Sequence, residues 1–315
     1  MAITITPEAL KKSAHQYKNE LLMMMIIGIE STLKHMAPRL KVQYKQTWGE
    51  IAGTTQLGPY DPSRKDTSID IKGRTLEVFL GSVIKEFDPN DVFQSIYGSL
   101  TLHGDGLKNV EITKAILASE IKSLAQKLNM AIFSAKRNDT GTTSQDLFNG
   151  FDTIAADEIT AGNIDVAKKN LHVFSSAITN VSAVDLLKEF YRSASDELQS
   201  IPVKMFVPKS VKQAYEDDYQ ATVGGIVYNK EFNKTTLEGS EGLCEIVALP
   251  NKKDAPYIQL TTKSNMIVGC GATPGIETLD VDRFSPFMVT LSLAKVFGVQ
   301  YETLSPEKLL IGKLV

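Results

Sequence analysis

LKNVEITKAILASEIKSLAQKLNMAIFSAKR, residues 107–137, carries the strongest helical signal in the chain. Leu117, Ile121, Leu124, Leu128, Ala131 and Ala135 recur at helical spacing and form one continuous apolar stripe. Lys, Glu, Ser and Gln occupy the other face. The pattern predicts an unbroken helix from Leu107 to Arg137. At 1.5 Å per residue, roughly thirty residues reach about 45 Å, long for a compact domain and suited to a strut.

The texture upstream is different. DPNDVFQSIYGSL, Asp88–Leu100, reads as a short helix after an Asp-Pro turn, and HGDG at 103–106 as a second turn. GPYDP at 58–62 is a turn cluster. In SIDIKGRTLEVFL, Ser68–Leu80, Ile69 and Ile71 alternate before Gly73, and Leu76 and Val78 alternate after it, which predicts a hairpin turning at the glycine. Around it Arg64, Lys65, Lys72 and Arg74 face Asp61, Asp66 and Asp70. With so few large apolar residues such a hairpin builds no core of its own. Two-stranded hairpins are marginal in water, so another part of this chain or another chain must hold it.

Further upstream, Thr6, Pro7 and Glu8 make a helix start: a hydroxyl cap, a proline in the first turn and an acid behind it. Leu10, Ala14, Tyr17, Leu21, Met24 and Gly28 then share one helical face. Two readings stay open here: a core helix of its own domain, or an arm that needs a neighbouring subunit.

Downstream of the strut, RNDTGTTSQ at 137–145 is a polar break and an expected domain boundary. A helix is expected over Ile178–Leu198, with Ser182 and Asp185 as a capping-box-like pair. Val203–Pro208 reads as a buried strand, 209–220 as a helix and Cys244–Pro250 as a strand. In Pro286–Glu302, Phe287, Val289, Leu291 and Leu293 alternate with smaller or more polar residues. Its 17 residues exceed an ordinary strand, so a bend or bulge is expected at Gly298. Helix, hairpin, long helix, then mixed elements is an α+β order rather than a regular β-α-β alternation.

Composition fits a globular chain. Its 315 residues are 43% hydrophobic and 23% charged, enough for a sizeable core without disulfide or metal staples. Net charge is -3, with +4 on residues 1–138 and -7 on the remainder, too small a surplus to indicate nucleic-acid binding. The longest apolar run, Leu21–Ile29, is too short to span a bilayer.

The sequence is poor in chemistry. There is no GxxxxGK[ST], no strand–GxGxxG–helix unit and no GxSxG elbow. GCGATPG at 269–275 reads as a turn between strands. His15, His35, His103 and His172 are scattered and form no metal-ligand pattern. Cys244 and Cys270 read as lone thiols, with one disulfide as the alternative. Cys270, beside glycines, is the better candidate for a reactive thiol, although no adjacent Lys, Arg or His lowers its pKa. Glu216, Asp217 and Asp218 read as a solvated helix face rather than an acid–base pair.

In this order of parts the chain resembles the major capsid proteins of tailed bacteriophages and prophages, the Hong Kong 97-like family. DLFNGFDT at 146–153 resembles the glycine-containing start of that family's axial domain, and NVSAVDLL at 180–187 the start of an axial helix. KMFVPKSVKQAYEDDY at 204–219 resembles the strand and helix that follow. PYIQLTTKSNMIVG, ETLDVDR and AKVFGVQY, from 256 to 301, resemble the closing run. The likeness covers nearly the whole chain and rests on the ordered set, not on any single motif.

The resemblance implies an α+β capsid fold with an N-terminal arm at 1–40, an extended loop at 41–80 and a peripheral domain with the spine helix at 81–145. The axial domain is 146–275, and return strands of the peripheral domain with the C-terminus are 276–315. It implies a structural protein, not an enzyme, with no catalytic residue, cofactor or metal. Copies would form hexamers and pentamers of an icosahedral shell around double-stranded DNA, contacted non-specifically. Partners would be the chain itself, a portal, and a scaffolding or cementing protein; no membrane is involved. The protein would reside in the virion, assembled in a bacterial cytoplasm. With about forty residues ahead of the hairpin, no fused scaffolding domain is expected. Some relatives cross-link a loop lysine to an asparagine of the peripheral strands. Lys65 and Lys72 lie in the right loop, but Ile276–Glu302 contains no asparagine and Asn265 lies before those strands, so no cross-link is expected. An encapsulin-like compartment around protein cargo and an unrecognised α+β enzyme remain the alternatives.

Overall fold

The computed structural model describes residues 7–40, 42, 44–53, 60, 69–87, 109–223, 236–253, 255–270, 278–283 and 288–315. The helix expected at 88–100, the turn at 103–106, the Thr6 cap, GPYDP apart from Tyr60, Arg64, Lys65 and the glycine-rich stretch past Cys270 lie outside the described residues.

Seven helices are described: α1 (Pro7–Gly28), α2 (Glu30–Leu33), α3 (Asn109–Ser134), α4 (Phe151–Thr160), α5 (Ala183–Arg192), α6 (Asp196–Gln199) and α7 (Lys209–Val223). The strands are β1 (Ala37–Arg39), β2 (Lys45–Gly53), β3 (Ile69–Glu77), β4 (Phe79–Phe87), β5 (Leu171–Val173) and β6 (Val203–Val207), then β7 (Cys244–Ala248), β8 (Tyr257–Thr261), β9 (Met266–Cys270), β10 (Thr278–Arg283), β11 (Val289–Tyr301) and β12 (Leu309–Lys313).

The long helix α3 forms as its stripe requires. Leu117, Ile121, Leu128 and Ala131 are buried, Ala125 joins them, and Leu124 is only half-buried. It stops at Ser134, short of Arg137, because the backbone there takes other partners. Lys136 N donates to Gln145 O, Asn138 N to Asp146 O, and Gly150 N to Ala135 O. The polar segment 137–145 is therefore folded back on the body. The Arg137 guanidinium lies 3.8 Å from the Phe79 ring centre and donates to Leu147 O.

α1 packs one face on its own chain. Ala14, Leu21 and Met25 share an apolar cluster with Leu117, Ile121 and Ala125 of α3 and with Leu279, Val281, Leu291 and Leu293 of the sheet behind them. Gly28 lies against Ala125, where a Cβ would stand 2.7 Å from the alanine methyl. Thr32 Oγ1 donates to Asn129 Oδ1 at 2.7 Å. Both pairs share one sequence offset, so α1 with α2 runs parallel to α3.

Two five-stranded sheets flank these helices. The first has the order β1–β9–β11–β10, with β4 also paired to β11. The second has the order β5–β12–β8–β6–β7. Sheet membership crosses the boundary expected at 275: β9 belongs to the first sheet and β12 to the second. One apolar cluster joins both, running from Phe133, Phe148 and Phe151 to Phe206, Phe297 and Tyr301.

β11 is one uninterrupted strand of 13 residues, and its register with β9 runs through Gly298 without an extra residue, so no bulge forms there. Its length is accommodated by a change of partner. Residues 289–294 pair with β10 and 297–301 with β9. Glycine is needed at 298 for a different reason: a Cβ there would stand 2.2 Å from Glu77 O.

The helix expected over Ile178–Leu198 is two helices, α5 and α6. Ser182 and Asp185 do not form the expected capping box. The Ser182 hydroxyl bonds Thr179, and the first turn of α5 is capped from α7 instead.

Candidate assembly surface

β2 and β3 form an antiparallel ribbon, in register from Lys45↔Glu77 to Gly53↔Ile69. Among the described residues neither strand pairs with either large sheet. Gly73 sits opposite Gly49 in mid-strand. The expected turn at Gly73 is therefore overturned: the change of alternating phase read there is a change of face along one strand, which begins at Ile69 and runs to Glu77.

Among the ribbon residues whose burial is described, 45–49 and 73–77, the buried one is Leu76 at the root. Val42, Leu76, Val78, Ile267 and Val296 form a small apolar cluster, with Trp48 packed on it. Polar pairs tie the two strands, Lys45 with Glu77 and Thr47 Oγ1 with Thr75 Oγ1. Arg74 reaches across to the body. Its Nη2 donates to Glu158 Oε1 at 2.8 Å and to Gln300 Oε1 at 2.9 Å, and its Nε to Tyr301 O at 3.3 Å. Sequence reasoning placed Arg74 only among mixed charges; nothing in the pattern marked its partners, 84 and 226 residues away.

Other apolar surface is left open on the body. Ile84 is 71% exposed and Leu80 is exposed on β4, while Ile27 is 60% exposed and Met23 is exposed on the free face of α1. A groove of about 590 Å³ lies between α3, β4 and the 137–147 segment, floored by Leu124, Leu128, Leu293 and Phe297 and edged by Arg137 and Asp139.

The candidate chemical groups do not converge. Cys244 and Cys270 are both free and buried, Cys270 with 0% exposure, which overturns its reading as a reactive thiol. Burial pushes the Cys244 thiol up to about 12. Of the acidic run, Glu216 and Asp217 are solvated, but Asp218 is 7% exposed and accepts from Val184 N. His35 and His172 lie in different clusters, and no group among the described residues could hold a metal ion. Asn265 is fully buried: its Nδ2 donates to Thr261 Oγ1 and its Oδ1 accepts from Thr303 N.

The most enclosed charge was not legible in the sequence. Lys252, fully buried, donates to Asp152 Oδ1 at 2.9 Å and lies over the Phe133 ring. Gln259 Nε2 donates to the same oxygen. Burial lowers the lysine pKa, and Asp152 opposes that shift. Packed under α3, this network shows no opening to a substrate; it is a joint between α4, β8 and the turn at Pro250–Lys252.

No protein-family model matches the sequence, and no curated protein matches it. Solved structures do match it in fold. A chain from the procapsid of satellite phage P4, including the size-determination (Sid) protein, superposes with a TM-score of 0.58 at 15% identity over 93% of this chain and 90% of that one. A chain from the capsid of a native GTA particle gives 0.58 at 12% identity, covering 91% of this chain and 90% of that one. The capsid of Myoviridae phage XM1 gives 0.56 at 8% identity, covering 91% and 92%. The chain has the fold of phage capsid proteins. No described helix of this capsid-fold chain is long and apolar enough to cross a membrane.

Proposed function

We propose that the chain is the major capsid protein of a tailed phage or prophage, a structural subunit without catalytic activity. Copies close into hexamers and pentamers of an icosahedral shell around double-stranded DNA, with a portal and a scaffolding or cementing protein as partners. The protein then resides in the virion, assembled in the host cytoplasm.

One observation carries this reading: a two-stranded ribbon that, among the described residues, pairs with neither large sheet and packs on the body at its root, on a chain sharing its fold with phage capsid chains over about 90% of its length. Such a ribbon needs a second surface, and a neighbouring copy supplies it. Residues 1–40 serve as the arm, 41–80 as the overlapping loop, 81–145 as the spine-bearing part of the peripheral domain and 146–275 as the axial domain. With β9 at 266–270 the chain is already back in the peripheral sheet, β10 and β11 continue it, and β12 then enters the axial sheet.

Electron microscopy of the purified protein tests the proposal. Closed shells or ring-shaped capsomers are expected, and DNA inside native particles. A small fixed oligomer that never forms either would overturn it. Shells filled with protein and devoid of DNA would make it an encapsulin-like compartment instead.

A further inference from the structure

Just beyond the buried root, the polar attachments of the ribbon to the body converge on one point. Arg74 spans Glu158 of α4, the Gln300 side chain of β11 and the Tyr301 carbonyl. Gln300 returns a bond from its Nε2 to Thr75 O at 3.2 Å. The other oxygen of Glu158 holds Asn163 Nδ2 at 2.7 Å, which fixes the carboxylate for the guanidinium.

Closer to the body the contact has another character. The backbone of Glu77 and Val78 lies against Gly298, and the Val78 and Leu76 side chains lie against its cross-strand partner Gly269. A Cβ on Gly269 would stand 2.5 Å from Val78 Cγ1, and one on Gly298 2.2 Å from Glu77 O. At Gly298 the close contact is made by backbone, and at Gly269 by the Val78 and Leu76 side chains, so this pair sets how near the ribbon lies to the body. Past this point Gln300 Nε2 holds the Thr75 carbonyl and Arg74 follows, its planar fork fixing direction as well as distance.

We propose that Arg74 is a positioning residue that sets the angle at which the ribbon leaves the body, and that the Gly269–Gly298 pair is the pivot about which the ribbon swings when the guanidinium lets go. If the chain forms shells as proposed above, that angle fixes how far each copy overlaps its neighbour. The pivot and clasp themselves do not depend on the shell reading.

Distance measurement by pulsed electron paramagnetic resonance tests this on the full chain. Spin labels are placed at Gly73→Cys and Val181→Cys. A Cβ at Gly73 meets nothing closer than 3.7 Å, Val181 is exposed, and both native thiols are buried. Diluting labelled chain into a large excess of unlabelled chain removes distances between copies, so the readout is the same whether or not shells form. A single narrow distance is expected with Arg74 intact. Arg74→Ala should replace it with a broad distribution. Arg74→Lys, which can engage Glu158 but not the whole fork, should fall between the two. A narrow, unshifted distance in a folded Arg74→Ala protein would overturn the proposal, because the apolar root alone would then set the angle. Should Arg74→Ala not fold by circular dichroism, Glu158→Gln and Gln300→Ala each remove one prong, and an unchanged distance in both overturns it equally.

Discussion

The carboxylate of Asp218 accepts a hydrogen bond at 2.8 Å from the backbone N–H of Val184, so a side chain of α7 caps the first turn of α5. The orphan donors of a helix N-terminus favour a negative group there, and this one is withdrawn from solvent. Asp218→Ala should lower stability by about 0.5–2 kcal/mol, the usual cost of a lost cap. Asp218→Asn, which keeps an acceptor, should lose less. Urea unfolding of the three proteins decides it: an unchanged midpoint for alanine would mean that the bond contributes nothing.

The Lys252–Asp152 pair predicts a non-additive result. Asp152→Ala leaves an ammonium in an apolar enclosure and should cost about 3–5 kcal/mol. Replacing both partners, Asp152→Leu with Lys252→Met, should recover much of that loss. Denaturant titrations of the single and double variants distinguish charge from packing; losses that simply add would point to packing alone.

Acid should weaken the fold before the carboxylates titrate. Burial lowers the pKa of His35 below its usual 6.5, Lys204 beside it pushes the same way, Glu245 opposes, and Lys34 and Lys263 add to the lowering. Burial also lowers His172, with Glu189 opposing. Each imidazole binds its proton more weakly folded than unfolded. The stability it confers is therefore complete above about 6.5 and is lost as pH falls through the folded value. Thermal melts from about pH 8 to pH 5 should show a declining midpoint below 6.5, and His35→Gln should flatten part of the decline. Identical profiles for both proteins would remove His35 from the account.

Both cysteines should be silent in the native protein. Each is buried and free, and a thiol raised to about 12, as at Cys244, offers almost no thiolate near neutral pH. A chromogenic disulfide reagent should titrate no thiol at pH 8 and two after unfolding. Rapid native labelling at Cys270 would show that the 266–270 strand opens.

What could be read from residue order was local. The stripe on α3 and the helical face of α1 follow from spacing alone, and both helices formed where expected. The ribbon was legible as a segment without a core, but its register was not. Alternation at Ile69, Ile71, Leu76 and Val78 fits a turn at Gly73 and a straight strand equally well, and only pairing with residues 45–53 decides between them. Gly298 was misread for the same reason: the chain that crosses it comes from residue 77. Asp218, Asp152 and Lys252 look like surface charges in sequence, because their burial is created by partners 34 and 100 residues away.

The placement of β12 carries a consequence for synthesis on the ribosome. Residues 309–313 do not trim the edge of the second sheet; they lie inside it, between β5 and β8. Leu309, Leu310 and Ile311 fill the core there. Until that strand arrives, β5 has no partner in the sheet and β8 has an open edge, so this sheet cannot be completed before residue 313 is made. A nascent chain released early is left with an open sheet and an unfilled core, a state that proteases recognise. A copy cut before Leu309 therefore carries the means of its own removal.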